Sequence, residues 1–263
     1  MTTEDLGLDP TARHVTVSAP GKVNLSLRVG PPGADGYHPV ATVYLAVSLR
    51  ETVTAIARTD GRITVGPSGR HISLVDTQDV PWDERNLAHR AAAHLRRTLG
   101  LDPDTHGVHL EVAKQVPVAG GMGGGSADAA AALVACDALW GTDVPKDELE
   151  EIAAGIGSDV PFLLHGGTAV GSGRGEVVTA VLAKGRYHWV FVPSLASGLS
   201  TPRVYAAFDE RTAGTTLEEP QPSADLMSAL RSGDASALAP VLDNDLQGDA
   251  CFHDSHLAGT GVR

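Results

Sequence analysis

The chain has 263 residues, 42% hydrophobic and 20% charged, which is globular composition with length for one large or two small domains. Its net charge of −12, from 20 basic and 32 acidic residues, excludes general nucleic-acid binding, which needs basic surface. Apolar runs fall well short of the ~18 residues of a membrane span and the N-terminus lacks a signal-type apolar core, so a soluble cytoplasmic protein without membrane partners is expected. Cys136 and Cys251 do not suggest a disulfide framework, and Cys136 reads as a buried helical thiol.

Residues 1–12 are polar and read as a loose tail. From Lys22 the chain alternates: Val23, Leu25, Leu27 and Val29 face one way, Lys22, Asn24, Ser26 and Arg28 the other. Taken alone, Lys22 reads as an ordinary solvated strand lysine. A loop over Gly30–Asp35 delivers Tyr37 and His38 to a strand over Val40–Leu49. Further strands are expected over Thr52–Ala57, Arg62–Val65 and His71–Val75. Asn86–Leu99 predicts a helix with Leu87, Ala91, Leu95 and Leu99 on one stripe. His106 and His109 have metal-like spacing but sit on opposite faces of a strand, and read as structural.

Val108, Leu110 and Val112 alternate with His109 and Glu111, as in a half-buried strand. Then comes Pro117-Val118-Ala119-Gly120-Gly121-Met122-Gly123-Gly124-Gly125-Ser126, with five glycines in six positions, and an Ala-rich helix that ends at Gly141. Ser126 suits the N-cap. A strand, a glycine loop and a helix in that order form an anion site, because loop amides and the positive helix end converge. Two familiar phosphate motifs fail here. The P-loop spacing of Gly120 and Gly125 puts Ser126 where lysine belongs, and a G-x-G-x-x-G from Gly121 would need glycine at Ser126. Asp128, expected in the first helical turn, favours the helix dipole but would repel phosphate unless Mg²⁺ intervenes.

Pro145 opens another helix, with Leu149, Ile152, Ala153 and Ile156 inward. Asp159, among apolar residues, is either a helix cap or a working carboxylate. Gly166–Gly175 reads as a hairpin turn, Tyr187–Pro193 as a strand, and Ser200-Thr201-Pro202 as the start of a short segment with Tyr205 and Phe208. Residues 210–222 read as a surface linker; Ser223–Leu230 and Ala235–Leu242 predict short helices.

The run Pro117–Ala131 resembles the phosphate-binding motif of the GHMP kinases. Ala19-Pro20-Gly21-Lys22-Val23-Asn24-Leu25, Asp35-Gly36-Tyr37-His38 and Asp159-Val160-Pro161-Phe162 extend the resemblance in the right order, from about residue 15 to about 246. It implies an α+β two-domain GHMP kinase fold: an N-terminal nucleotide-binding domain (residues 1–165) and an incomplete ferredoxin-like domain (residues 166–263), with the active site in the cleft between them. It implies transfer of the ATP γ-phosphoryl group, with Mg²⁺, to the 2-hydroxyl of 4-diphosphocytidyl-2-C-methyl-D-erythritol, a step of non-mevalonate isoprenoid precursor synthesis. Lys22 and Asp159 take the catalytic positions. Asn86, Pro117, Gly120, Gly121, Met122, Gly123, Gly124, Gly125 and Ser126 take the ATP positions. Asn24, Tyr37, His38 and Tyr205 take the substrate positions, where an aromatic ring stacks on cytosine, the histidine bonds to its edge and Tyr205 closes its other side. No residue is assigned to metal, and a monomer or homodimer is expected. A mevalonate- or homoserine-type kinase is the competing enzyme reading, and Asp35-Gly36-Tyr37-His38 speaks against it. The resemblance stops after Gln247, where relatives would continue and carry a third glycine motif; Gly259-Thr260-Gly261 lacks a following helix to orient it. A shortened chain of that kind is expected to turn over poorly or not at all and to leave a sheet edge uncovered.

Overall fold

The structure, a computed structural model, describes residues 11–192 and 201–249. The readings at residues 1–10, Pro193, Ser200, Cys251 and Gly259–Gly261 lie outside the described residues. Two compact units form. Of the described residues, the first takes those up to Lys22 and Ala46–Gly166; the second takes Val23–Leu45 and those from Gly167 onward. Two long strands, β1 (His14–Val29) and β2 (Val40–Arg58), contribute to both.

In the first unit β1 and β2 are neighbours, and Thr16 meets Thr54 across them at 2.9 Å. β4 (Gly107–Ala113) pairs antiparallel to β2, and β3 (Ile63–Pro67) pairs parallel to β4. Helices α1 (Leu87–Thr98), α2 (Gly124–Trp140), α3 (Lys146–Ala154) and α4 (Val160–His165) pack on one another around α2. α2 is buried nearly all round, through Ala127, Ala129–Ala132, Leu133, Ala135, Cys136 and Leu139. A helix apolar on every side belongs in the middle of a core, and alanine lets its neighbours approach closely. Phe162, Leu95, Leu110, Leu133, Ile56 and Val53 are fully buried with it. Burial also raises the Cys136 thiol far above its ordinary pKa, so it packs as an inert group.

In the second unit β5 (Thr168–Ser172) pairs antiparallel with β2 and with β6 (Val177–Ala180), and β7 (Asp243–Asn244) pairs parallel to β1. Leu25, Val43, Leu226, Leu230 and Leu238 form one core cluster; Val29, Val40, Val204, Phe208 and Leu246 form another. The helices are α5 (Thr201–Thr212), α6 (Ala224–Ser232, capped by Ser223) and α7 (Ala235–Leu238).

Several sequence expectations need correction. The strands expected at Val40–Leu49 and Thr52–Ala57 are one, since Leu49-Arg50-Glu51 contains no breaker and Glu51 has a buried partner. The alternation from Lys22 is not clean, because Lys22 and Ser26 are buried with the apolar set. β4 is not half-buried: His109 bonds to Thr64 and Glu111 to Ser68, so its polar face is covered as well. His106 precedes the strand rather than lying on it. His71–Val75 forms no strand; the Ser68 hydroxyl accepts from the amides of Arg70 and His71 and turns the chain there. Residues 187–192 take no strand partner among the described residues, and Val190 is 91% exposed. The helix expected through Leu242 stops at Leu238 and ends in a 3-10 turn over Ala239–Val241, where Pro240 has no N–H to donate.

His109 makes acid stability testable. Burial, aided by Arg58, lowers its pKa from 6.5 to about 4. Between those values the unfolded chain binds a proton that the folded chain excludes, so stability falls as pH drops through the window and returns above it. In His109→Gln the loss of unfolding free energy from pH 7 to pH 4 should shrink by about 2–3 kcal/mol, read from urea titrations at both values.

Candidate active site

The glycine loop joins Val116 to α2. Its backbone reverses through Ala119 (φ 56°), Gly121 (φ 71°) and Gly123 (φ 72°). Val118 to Gly121 are exposed, while Met122 turns inward and is buried. The carbonyl of Met122 accepts from the amide of Lys22 at 2.9 Å. Gly21 has to be small there: a Cβ would lie 3.0 Å from Val116 Cγ2 and 3.3 Å from Met122 O. The loop is thus fastened to β1 at the residue that carries the lysine.

The N-cap of α2 is Gly123, in the left-handed region and with no side-chain cap bond. Ser126 is therefore not the cap but lies in the first turn, because a positive φ at residue 123 starts the helix three residues earlier than a serine cap would. The amides of that first turn have no intrahelical acceptor. They form the positive end of a 17-residue helix, where an anion is favoured.

Lys22 Nζ lies 3.5 Å from Asp159 Oδ2, with side-chain exposures of 9% and 29%. Asp159 occupies the cap position of α4 but makes no side-chain cap bond; its carboxylate turns to the lysine instead. Lys22 in turn rests against the loop, since a Cβ on Gly123 would lie 3.2 Å from Lys22 Cγ and 3.3 Å from Leu163 Cδ1. Two separated motifs thus meet in one ion pair beside the helix start. Asn86, the remaining ATP candidate, is buried and caps α1: its Oδ1 accepts from Ala88 N at 2.9 Å and its Nδ2 donates to Pro81 O at 2.8 Å.

Asp128 does not face the loop. It lies past the first turn, buried, with Oδ2 2.6 Å from Lys114 Nζ. Lys114 also reaches Glu51 Oε1 at 2.7 Å, and Glu51 Oε2 accepts from Gln115 N at 3.0 Å. Burial raises the pKa of both carboxylates, opposed by Lys114. Burial works against the Lys114 ammonium, but Asp128 and Glu51 outweigh it and hold its pKa above the ordinary value. Sequence reasoning missed this triad; Glu51 inside a strong strand pattern and Lys114 directly after another were the available signal.

In the second unit Tyr37 is 57% exposed, with the Arg174 guanidinium 3.8 Å from its ring centroid. Arg174 also pairs with Asp35 at 2.7 Å. The amide of Tyr37 and then Arg174 hold the Asp35 carboxyl below its usual pKa. His38 is buried, with Nδ1 2.7 Å from Gly30 O and Nε2 3.2 Å from Asp209 Oδ1. Its ring centroid is 5.4 Å from that of Tyr205. Both ring nitrogens already face an oxygen, so a direct bond from the ring edge to a base requires the exposed Asp209 to give way. Asn24 Nδ2 donates to Thr42 Oγ1 at 2.7 Å. Neither Arg174 nor Asp209 stood out in the sequence.

A glycine loop on a helix start beside a Lys–Asp pair is the arrangement of a small-molecule phosphotransferase, and the family model "GHMP kinases N terminal domain" matches residues 86–167. A 4-diphosphocytidyl-2-C-methyl-D-erythritol kinase of Arthrobacter sp. is 53% identical, over 90% of this chain and 73% of the relative; one of Streptomyces coelicolor is 52% identical, over 89% and 75%. The chain belongs to the 4-diphosphocytidyl-2-C-methyl-D-erythritol kinase family. A crystal structure of 4-(cytidine 5'-diphospho)-2C-methyl-D-erythritol kinase, 28% identical, superposes with a TM-score of 0.68 over 94% of this chain and 81% of its own. The structure of L. major mevalonate kinase, 13% identical, shares the fold alone, with a TM-score of 0.59 over 94% of this chain and 78% of its own.

The loop geometry separates two glycines that look alike in sequence. At Gly121 an added Cβ meets nothing within 4 Å, whereas at Gly123 it meets Lys22 and Leu163. Gly121→Ala should lose about 1 kcal/mol for its left-handed backbone. Gly123→Ala should lose about 1–3 kcal/mol more through overpacking. Chemical denaturation of the two variants measures the difference, and equal losses would show that Lys22 and Leu163 yield freely.

Proposed function

We propose that this chain transfers the γ-phosphoryl group of ATP to the 2-hydroxyl of 4-diphosphocytidyl-2-C-methyl-D-erythritol in the non-mevalonate route to isoprenoid precursors. The observation that carries the reading is the Lys22–Asp159 pair beside the start of α2; the relatives' names supply the substrate. The first unit is then the nucleotide-binding domain and the second the domain that selects the alcohol.

The amides of Gly124, Gly125 and Ser126 hold the triphosphate, with Pro117 and Gly120–Gly123 shaping the approach. Asn86 supports the nucleotide from the start of α1, as a cap that fixes the helix rather than through a free amide. Asp159 accepts the hydroxyl proton as the oxygen–phosphorus bond forms and the bond to the ADP oxygen breaks. Lys22 fixes the carboxylate and adds positive charge beside the transferring group. Among the described residues no group of three or more His, Cys, Asp or Glu side chains could hold a metal. A Mg²⁺ ion bound with ATP would be held mainly by the phosphates with one or two protein oxygens, and Ser126 in the first turn of α2 would supply one. When bound, the ion neutralises phosphate charge. Tyr37 offers a face for the cytosine, Tyr205 a second aromatic wall, and His38 a buried support for Tyr205. Asn24 orients the polyol end.

An ATP-dependent phosphorylation assay with the cytidyl alcohol, run beside mevalonate and homoserine, tests the reading; phosphorylation of either competitor at a comparable rate would overturn the substrate. Asp159→Ala should lose roughly 10²–10⁴-fold in turnover under chemistry-limited conditions, and a variant that keeps most of its rate would remove Asp159 from the reaction. Tyr37→Ala should weaken cytidyl-substrate binding by about 1–3 kcal/mol and leave ATP affinity unchanged. Equal weakening of both ligands would assign Tyr37 to the fold.

A further inference from the structure

We propose that Lys114, clamped between Glu51 and Asp128, is the positioning residue that sets the span of the glycine loop and hence the aim of the α2 amides. The proposal rests on the reading of that loop as the triphosphate site.

The position of the triad is the first argument. Lys114 and Gln115 immediately precede the loop, Asp128 is the fifth residue of α2 beyond it, and Glu51 belongs to β2. One ammonium, its side chain 4% exposed, reaches Glu51 at 2.7 Å and Asp128 at 2.6 Å. Gln115 N donates to the second Glu51 oxygen. The entrance and the exit of the loop are thereby joined through one point that uses none of the loop's own side chains. The loop residues Val118–Gly121 are exposed, so they contribute little to holding their own shape.

Proximity is the second argument. A Cβ on Gly124 would stand 2.9 Å from Glu51 Oε1 and 3.4 Å from Lys114 Nζ. The triad is therefore the floor of the first helical residue, whose amide belongs to the proposed phosphate site. Movement of the ammonium moves that floor.

Energetics favour a role beyond stability. Two carboxylates share one ammonium away from water, and Asp128 Oδ1 is buried with no hydrogen-bond partner among the described residues. Apolar residues of similar volume often serve stability as well as a buried ion cluster or better. What they cannot do is hold two chain segments in one directed geometry, and directed geometry is what an amide cradle requires.

The test compares Asp128→Ala with Asp128→Asn in the 263-residue chain. Alanine cuts the link to α2 and leaves a balanced Glu51–Lys114 pair that allows folding; asparagine keeps an acceptor for Lys114. Two readouts are taken: amide hydrogen exchange of residues 118–126 in ligand-free protein, with α3 as internal reference, and ATP affinity by calorimetry. In Asp128→Ala the loop amides should exchange about tenfold faster and ATP should bind about tenfold more weakly, with α3 unchanged, and Asp128→Asn should restore most of both. The triple variant Glu51→Gln/Lys114→Met/Asp128→Asn, isosteric and uncharged, should show the same loosened loop without losing its melting transition. Loop exchange and ATP affinity within about twofold of wild type in a folded Asp128→Ala or triple variant would overturn the proposal. A wild-type chain that binds no ATP would instead fail the kinase reading, while the exchange measurement would still decide the triad.

Discussion

The bond from the amide of Lys22 to the carbonyl of Met122 is the contact on which the first unit's site depends. It joins the strand that carries the lysine to the loop that opens α2. For Met122 to present its carbonyl there while burying its side chain, the backbone on either side must run through the left-handed region, and Gly121 and Gly123 do so. Positive φ at Gly123 then decides where α2 begins, and the start of α2 decides which amides point outward. The Lys22–Asp159 pair follows, because Lys22 can lean on Gly123 only if that position has no Cβ. A single backbone hydrogen bond thus couples the lysine, the loop and the helix dipole.

The second unit is organised differently. Its candidate rings, exposed Tyr37 and buried His38, are held by charged neighbours: Arg174 stacks on Tyr37 and pairs with Asp35, and Asp209 backs His38. Such contacts are individually weak in water. They let a ring be ordered before a ligand arrives and still be released to it. The first unit holds its site by backbone and buried charge; the second holds its own by exchangeable surface partners.

Much of this was legible in the residues. The loop of five glycines, the helix α1 and the Asp159 motif all announced themselves, since each depends on a local pattern that a short window contains, although the buried face of α1 is Ala88, Ala91, Ala92 and Leu95 rather than the expected stripe through Leu87 and Leu99. What escaped depended on tertiary partners. Asp128 reads as a first-turn helix acid beside the phosphate until Lys114, fourteen residues earlier, is seen to reach it. Ser126 is a good cap by type, yet the glycine before the helix makes the turn. His38 reads as a ligand-facing ring because nothing near it in sequence predicts that Asp209 will occupy Nε2. Residues 187–192 carry strand residues at strand spacing, but a strand is defined by a neighbour, and no window around Trp189 says whether one is present. The 3-10 ending at Ala239–Val241 has its signal in Pro240, inside an apolar run that otherwise continues the helical pattern.

The alanines of α2 limit how this scaffold can diverge. Ala127, Ala129, Ala130, Ala131, Ala132 and Ala135 are all buried against neighbours. Enlarging any of them pushes on a packed wall, and shrinking one to glycine loosens the helix that orients the amides. For a library seeking a new phosphate donor the helix is therefore a closed region. The open positions are the exposed ones just before it: Val118, which faces solvent on an ordinary backbone, and Ala119, whose φ of 56° admits glycine, asparagine or aspartate more readily than any branched residue.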